Sequence, residues 1–256
     1  MKLLITGFMP FGGEKENPAW EAVKRLPDKV DGVSIIKQEI PVVFGEDFQV
    51  LEKAIRENTC PGQGGDLPCD QSCERLCAVI CVGQAGGRSG ITPEKIAINY
   101  QDARIPDNAG NSPRHQLILY PQKPSALSYT PLNEGASAGA FCPADGYFSS
   151  LPVEKMVEAM SEANIPASAS LSAGAYVCND LFYRLMVYLA KGSLAGDAHI
   201  GGGAIGGFIH VPFSSEQLEG REFPEGKLPP SLPLDTIASG LEICIRETIK
   251  AVKADR

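Results

Sequence analysis

Histidine is scarce in this chain: 256 residues carry three, His115, His199 and His210. That scarcity narrows metal binding and acid–base chemistry together, since imidazole is the commonest metal ligand and the usual proton carrier near neutral pH. Zinc-type spacing is missing as well. Cys69, Cys73, Cys77 and Cys81 recur every four residues with no histidine nearby, which is not a zinc-ribbon pattern. Cationic side chains are outnumbered, 23 Lys and Arg against 31 Asp and Glu, for a net charge of −8. Nucleic acid and anionic membrane surfaces are therefore excluded as expected partners. No apolar run reaches transmembrane length. The opening Lys2-Leu3-Leu4-Ile5-Thr6-Gly7 is too short for a signal peptide and breaks at Gly7 and Pro10, so it reads as a first buried strand and the expected setting is the cytosol.

A chain of this length buries a substantial core and is expected to form one domain, residues 1–256. Eight cysteines are many for a cytosolic enzyme, yet the chain is too large and too rich in core residues to depend on a disulfide scaffold. Cys77 and Cys81 fall in or beside a core strand. A disulfide among Cys60, Cys69 and Cys73 stays open. Apolar runs bounded by turn residues predict strands at Leu3–Thr6, Val33–Ile40, Leu76–Val82, Ala167–Leu171 and Ile205–Val211. Helical patterns fall at Pro18–Leu26, Glu46–Glu57, Pro152–Ala163, Cys178–Ala190 and Leu234–Val252. Asn17-Pro18 opens the first helix as a cap followed by proline at the first helical position. Strands alternating with helices predict an α/β fold whose sheet is covered on both faces. Residues 58–74 and 112–143, the second with five prolines, break the alternation and read as loops or insertions.

Cys178 is the chemically suggestive residue. Val177, Leu181, Leu185 and Leu189 recur every four residues, which starts a helix near it. A thiol at a helix N-terminus faces unpaired N–H groups and the positive end of the helix dipole, so its pKa is expected below the free-thiol value of roughly 8.5. Taken alone, Cys178 is equally a small buried apolar residue. A nucleophilic cysteine needs a base. His115 lies in the proline-rich stretch and His199 precedes a glycine run, whereas His210 ends the apolar run Gly207-Phe208-Ile209-His210-Val211-Pro212-Phe213. Clefts in open α/β sheets lie at the carboxyl ends of strands, which favours His210. Gly201-Gly202-Gly203-Ala204-Ile205-Gly206 fits a dinucleotide fingerprint. It leads into a strand, however, where that fingerprint should open a helix. A non-catalytic binding protein is the other rival, and it would have no need of a nucleophile with a base.

Five segments together resemble the pyroglutamyl peptidase I (pyrrolidone-carboxylate peptidase) family of cysteine peptidases. They are Thr6-Gly7-Phe8-Met9-Pro10-Phe11-Gly12-Gly13 with Asn17-Pro18-Ala19-Trp20-Glu21, Val82-Gly83-Gln84-Ala85-Gly86-Gly87-Arg88, Ile91-Thr92-Pro93-Glu94-Lys95-Ile96-Ala97-Ile98-Asn99, Ser172-Ala173-Gly174-Ala175-Tyr176-Val177-Cys178-Asn179, and the run that ends in Phe213. The resemblance implies a three-layer α/β/α fold with a twisted, mostly parallel open sheet of the phosphorylase/hydrolase-like kind. It implies a cysteine-type omega peptidase that removes N-terminal pyroglutamyl residues, works without a metal or cofactor, and assembles as a homotetramer. It assigns Cys178 as nucleophile, His210 as base and Glu94 as the acid that orients His210, and it places Arg104 near the thiol. Phe8 and Phe11 become aromatic walls, Gln84 the backbone reader of the lactam, and Ile105, Tyr176 and Val177 further pocket positions. On chemistry alone Glu94 is equally an exposed carboxylate, Arg104 an ion-pair partner for Asp102 or Asp107, and the two Phe residues core packing. Lys95, Met9 and Tyr176 depart from the usual family residues, and the Tyr176 hydroxyl needs a partner if buried.

Overall fold

The computed structural model describes residues 1–59, 74–120, 143–195, 203–221 and 228–254. Its main sheet has six strands in the order β2 (Lys29–Val30), β3 (Val33–Ile40), β1 (Lys2–Phe8), β4 (Leu76–Gln84), β8 (Ile205–Val211) and β5 (Thr92–Pro93). β3, β1, β4 and β8 run parallel, in registers that include Leu4↔Ile36, Leu4↔Val79 and Gly83↔His210. The two edge strands run antiparallel to their neighbours. Two small pairs stand apart, β6 (Ile96–Ile98) with β7 (Gly146–Phe148) and β9 (Phe213–Ser214) with β10 (Ser231–Leu232).

Parallel strands require crossovers, and the crossovers cover both faces. β4 is consequently buried along its whole length except at Gln84. Alternation in β1 sorts the core into two layers. Leu3 and Ile5 pack with α1 (Pro18–Arg25), α3 (Val153–Glu162) and α6 (Leu234–Ala254), while Leu4 and Phe8 pack with α2 (Glu46–Asn58) and α4 (Val177–Ala195). The three-layer α/β/α arrangement is the one expected. Asn17 caps α1, its Oδ1 accepting from Ala19 N at 3.0 Å, with Pro18 at the first helical position. A short helix, α5 (Ser215–Leu218), follows β9. No helix among the described residues is long and apolar enough to cross a membrane.

One expected strand is absent. Ala167 and Ser170 make only isolated bridges, to Ile91 and Glu94, and Leu171 is exposed. Ala-Ser-Ala-Ser supplies no side chains worth burying, so the segment is held instead by backbone bonds such as Ser170 N to Pro93 O (3.0 Å) and Lys95 N to Ser170 O (2.8 Å). The sheet edge is β5, two residues too short to give a period. The expected loops are only partly in view. Asn58 belongs to α2, Glu74 receives the N-terminal amine at 3.2 Å, and Gln116 bridges Gln101. Residues 60–73, with Cys60, Cys69 and Cys73, lie outside the described residues, as do residues 121–142 and His199. Of the glycine run, Gly206 lies within β8, where a Cβ would sit 2.7 Å from the Leu189 side chain. Gly206 thus serves helix-to-strand packing.

Candidate active site

Three neighbouring parallel strands end together: β1 at Phe8, β4 at Gln84 and β8 one residue beyond His210. Their carboxyl ends floor a cavity of about 310 Å³, at the small end of the ~300–1,000 Å³ usual for ligand sites. α4 brings Cys178 to this floor from above. Gly83 makes room for it, since a Cβ there would lie 2.9 Å from Cys178 Sγ and 2.8 Å from Phe208 Cζ. Gly83 is also the register partner of His210. The thiol therefore rests on the strand beside the imidazole, and both groups line the cavity.

His210 is held from its other side by β5 and the residue next after it, Glu94. Thr92 pairs with His210, and Glu94 N donates to Phe208 O at 2.9 Å, which directs the Glu94 side chain back along β8. His210 Nδ1 donates to Glu94 Oε1 at 2.7 Å, leaving Nε2 as the basic nitrogen. Burial alone would raise the carboxyl of Glu94. The hydrogen bond and charge of His210, the Ser170 hydroxyl and Arg88 outweigh it and hold Glu94 below its ordinary value. Burial pushes His210 down despite Glu94, and Arg88 adds to the fall. His210 is therefore a neutral base at neutral pH.

The thiol departs from the sequence expectation. Burial first, then the Asp47 and Glu94 charges, push Cys178 up to about 12, against weaker opposition from Arg88 and its own backbone N–H. Desolvation outweighs the helix terminus. The resting pair is thus a thiol beside a neutral imidazole rather than an ion pair.

Phe8, Phe11, Gln84, Tyr176 and Val177 line the cavity as expected. Phe8 packs on Phe208 with ring centroids 6.3 Å apart, Phe11 on Tyr176 at 6.5 Å. Tyr176 finds the partner its hydroxyl requires, donating to Pro106 O at 3.0 Å. Arg104 and Ile105 are not brought in. Both are exposed, Ile105 at 48%, on a stretch outside the cavity lining. Arg104 is not the ion-pair partner its neighbours suggested either, because Asp102 takes Arg114 at 2.8 Å and Asp107 accepts from the backbone of Phe44, Ala109 and Asn111. The geometry of this stretch places its backbone at the rim and its Arg104 side chain at the surface. His115 is likewise exposed, 2.8 Å from the Tyr100 hydroxyl and away from the thiol.

A thiol, a neutral imidazole and a buried carboxylate, beside a slot with aromatic walls and, among the described lining residues, no carboxylate, suit acyl transfer from an uncharged N-terminal group. Comparison with known proteins agrees. The family model described as pyroglutamyl peptidase matches residues 1–63 and 69–251. The chain belongs to the pyroglutamyl peptidase family. Among its relatives, the pyrrolidone-carboxylate peptidase of Lactobacillus helveticus is 41% identical over 245 residues, covering 96% of this chain and 97% of the relative. That of Lactobacillus acidophilus is 42% identical over 251 residues, covering 98% of this chain and 100% of the relative. The crystal structure of pyroglutamyl peptidase I from Bacillus amyloliquefaciens superposes with a TM-score of 0.71 at 37% identity, covering 96% of this chain and 94% of that one. As a pyroglutamyl peptidase family member the chain is a hydrolase. Among its described residues no group of three His, Cys, Asp or Glu is arranged to hold a metal ion.

Several residues around the pyroglutamyl peptidase site escape sequence reasoning. Asn179 is wholly buried, donates through Nδ2 to Ile98 O and Tyr100 O (both 2.9 Å), and accepts at Oδ1 from Ile98 N (3.1 Å). It fixes the first turn of α4 to β6. The only signal is a polar residue beside Cys178 in the first turn of the helix. Arg88 reaches Glu94, Thr92 and Ser172, where the sequence shows only the end of a glycine-rich stretch. Asp180, wholly buried, pairs with Arg184 Nε at 2.8 Å and faces Asp47, also wholly buried.

Proposed function

We propose that Cys178, His210 and Glu94 remove the N-terminal pyroglutamyl residue from peptides through a thioester on Cys178. The observation that carries this is the line from Cys178 over Gly83 to His210 and on to Glu94 at one end of an apolar slot. Pyroglutamate carries no charge, because its side chain has closed onto its own nitrogen. A site with a carboxylate placed for an ammonium would leave that carboxylate buried and unpaired. Phe8 and Phe11 face the ring, Val177 and Tyr176 complete the slot, and backbone groups at Gln84 pair with the lactam. A site that must satisfy a buried donor and acceptor rejects rings that lack them.

His210 Nε2 takes the Sγ proton as sulfur attacks the pyroglutamyl carbonyl. Backbone N–H groups at the start of α4 stabilise the oxyanion. Arg104, exposed and outside the cavity lining, is given no step. Imidazolium, steadied by Glu94, returns its proton to the leaving amine as the C–N bond breaks. Water then gives a proton to His210 and its oxygen to the thioester carbonyl, releasing pyroglutamate and the thiol. We extend the proposal to one peptidase domain over residues 1–256, with 58–74 and 112–143 as loops or insertions within it. We extend it also to a cytoplasmic location and the homotetramer that the family resemblance implies, which light scattering tests directly.

Release of fluorophore from a pyroglutamyl-aminomethylcoumarin under reducing conditions tests the central claim. The wild type should turn over and Cys178→Ala should not. A folded, reduced wild type that is inert would favour a binding role for the same slot.

A further inference from the structure

We propose that Arg88 is a positioning residue of the catalytic machinery: one guanidinium divides the charge of Glu94 with His210 and ties the segment leading into Cys178 to the same carboxylate. The inference rests on Cys178, His210 and Glu94 being the working groups.

The geometry is specific. Arg88 Nη1 donates to Glu94 Oε1 at 2.6 Å, the oxygen that also accepts from His210 Nδ1 at 2.7 Å. The same nitrogen donates to Thr92 Oγ1, and Nη2 donates to Ser172 O at 3.0 Å. Arg88 itself sits on the turn after β4, closed by its N–H on Ala85 O at 3.3 Å. Its side chain thus joins three segments: the turn after Gln84, the residues after β5 that carry Glu94, and the Ser172–Gly174 wall that runs into α4. Each segment contributes to the cavity lining or to the groups behind it. An ordinary surface ion pair does none of this. Here the side chain is 26% exposed and its carboxylate partner wholly buried.

Sharing one oxygen has a chemical consequence. If Glu94 served His210 alone, its full charge would favour imidazolium, and a base that rests protonated takes no proton from a thiol. With Arg88 on the same oxygen the carboxylate still orients the ring but holds it less strongly in the charged form. The cation also favours thiolate as sulfur loses its proton. Other groups bear on this balance. Asp47 from α2, whose own neighbours are Asp180 and Arg184, and Glu94 itself oppose the thiolate, and the sulfur in turn raises the Tyr176 hydroxyl. Among these groups Arg88 lowers both His210 and Cys178, which keeps the base free of a proton at rest and favours the thiolate.

The test compares Arg88→Gln, which keeps hydrogen-bond donors without the charge, with Arg88→Lys, which keeps the charge without the fork. Both are read by the pH profile of kcat/KM on the pyroglutamyl coumarin substrate, with melting temperature measured alongside. In Arg88→Gln the acid limb should move up by about half a pH unit or more. Its kcat should fall about tenfold or more with KM changed less than about threefold. In Arg88→Lys the limb should stay near its wild-type position. An unmoved limb in Arg88→Gln overturns the proposal, as does a loss confined to KM, which would make Arg88 a substrate contact. Should Arg88→Gln fail to fold, the Lys variant decides: a limb kept in place supports the assignment, and a limb that moves despite the retained charge overturns it. Cys178→Ala is run in parallel. If it remains active, the triad itself is wrong; if it is dead while the limb of Arg88→Gln stays put, only the role of Arg88 falls.

Discussion

Glu94 and the Asp47–Asp180 pair are equally buried and both bear on the turn that carries Cys178, yet their carboxyls shift in opposite directions. Burial pushes all three carboxyls upward. Around Glu94 that push is overcome by an imidazole, a hydroxyl and a guanidinium. Asp47 and Asp180 have one guanidinium between them, Arg184, and it sits on Asp180. Asp47 is raised well above its ordinary value by burial and by the Asp180 charge, and the Phe48 and Gly45 N–H groups do not offset this. Both aspartates are therefore held above the ordinary carboxylate range, Asp47 the further of the two. The difference teaches that depth does not make a carboxylate catalytic; the number of cationic and donor partners does. Of the two clusters, only the one with surplus partners presents an ionised acceptor to a catalytic imidazole.

The strongest way to break that comparison is Glu94→Gln. The amide keeps the shape but removes the charge that steadies imidazolium and fixes its tautomer. By analogy with the serine triad, kcat/KM should fall on the order of 10³–10⁴-fold. A loss under tenfold in steady-state kinetics would take the orienting role from Glu94. Next in size is Asp180→Ala, the corresponding deletion in the second cluster. It strands Arg184, whose side chain is 22% exposed. The expected cost is about 1–3 kcal/mol in urea unfolding, below the figure for a fully buried pair because water reaches the guanidinium. Its kcat should stay within about tenfold of wild type, because no reacting atom is touched. Losses of equal size in activity from the two deletions would erase the distinction.

The wild-type pH profile sharpens the comparison without a mutation. His210 is held below its ordinary value of 6.5 by burial. The base is active when neutral, so the acid limb of kcat/KM should lie below pH 6.5 and the rate should rise through it. A limb near the free-thiol value of roughly 8.5 would instead mean that the thiol titrates before it reacts.

The sequence shows the strands whose ends build the floor, because their apolar runs are long and bounded by turns. It shows the cap at Asn17 and the helix that presents Cys178. His210 stands out because the chain has so few histidines to choose among. What sequence does not show is anything set by short or polar segments. β5 has two residues and no period, yet it places Glu94. Ala167–Leu171 alternates but has nothing to bury, so it becomes a backbone-bonded edge rather than a strand. Arg104 looks catalytic from its place in a motif, but the chain turns it to the surface, and only coordinates reveal that Arg88 holds the carboxylate. The thiol is the clearest limit. A helix N-terminus is legible in a sequence, whereas the burial that outweighs it depends on how closely the sulfur and Phe208 pack over Gly83.

The smallest expected effect isolates the proton on Asp47. A carboxyl raised in the folded state carries no penalty below its unfolded value of about 3.9. As pH climbs toward the folded value, the unfolded chain ionises freely while the folded chain resists, so stability drains away across that window. Asn cannot ionise. The melting temperature of Asp47→Asn relative to wild type should therefore climb as pH is taken from about 4 toward about 8, whatever its starting sign. At a pH where Asp47 is protonated the variant exchanges one neutral group for another, so kcat/KM should stay within about twofold there. A temperature difference that is flat with pH, together with a marked gain in activity, would show Asp47 to be ionised beside the nucleophile. The two clusters would then differ in position alone, and Arg184 would have to be neutralising both aspartates at once.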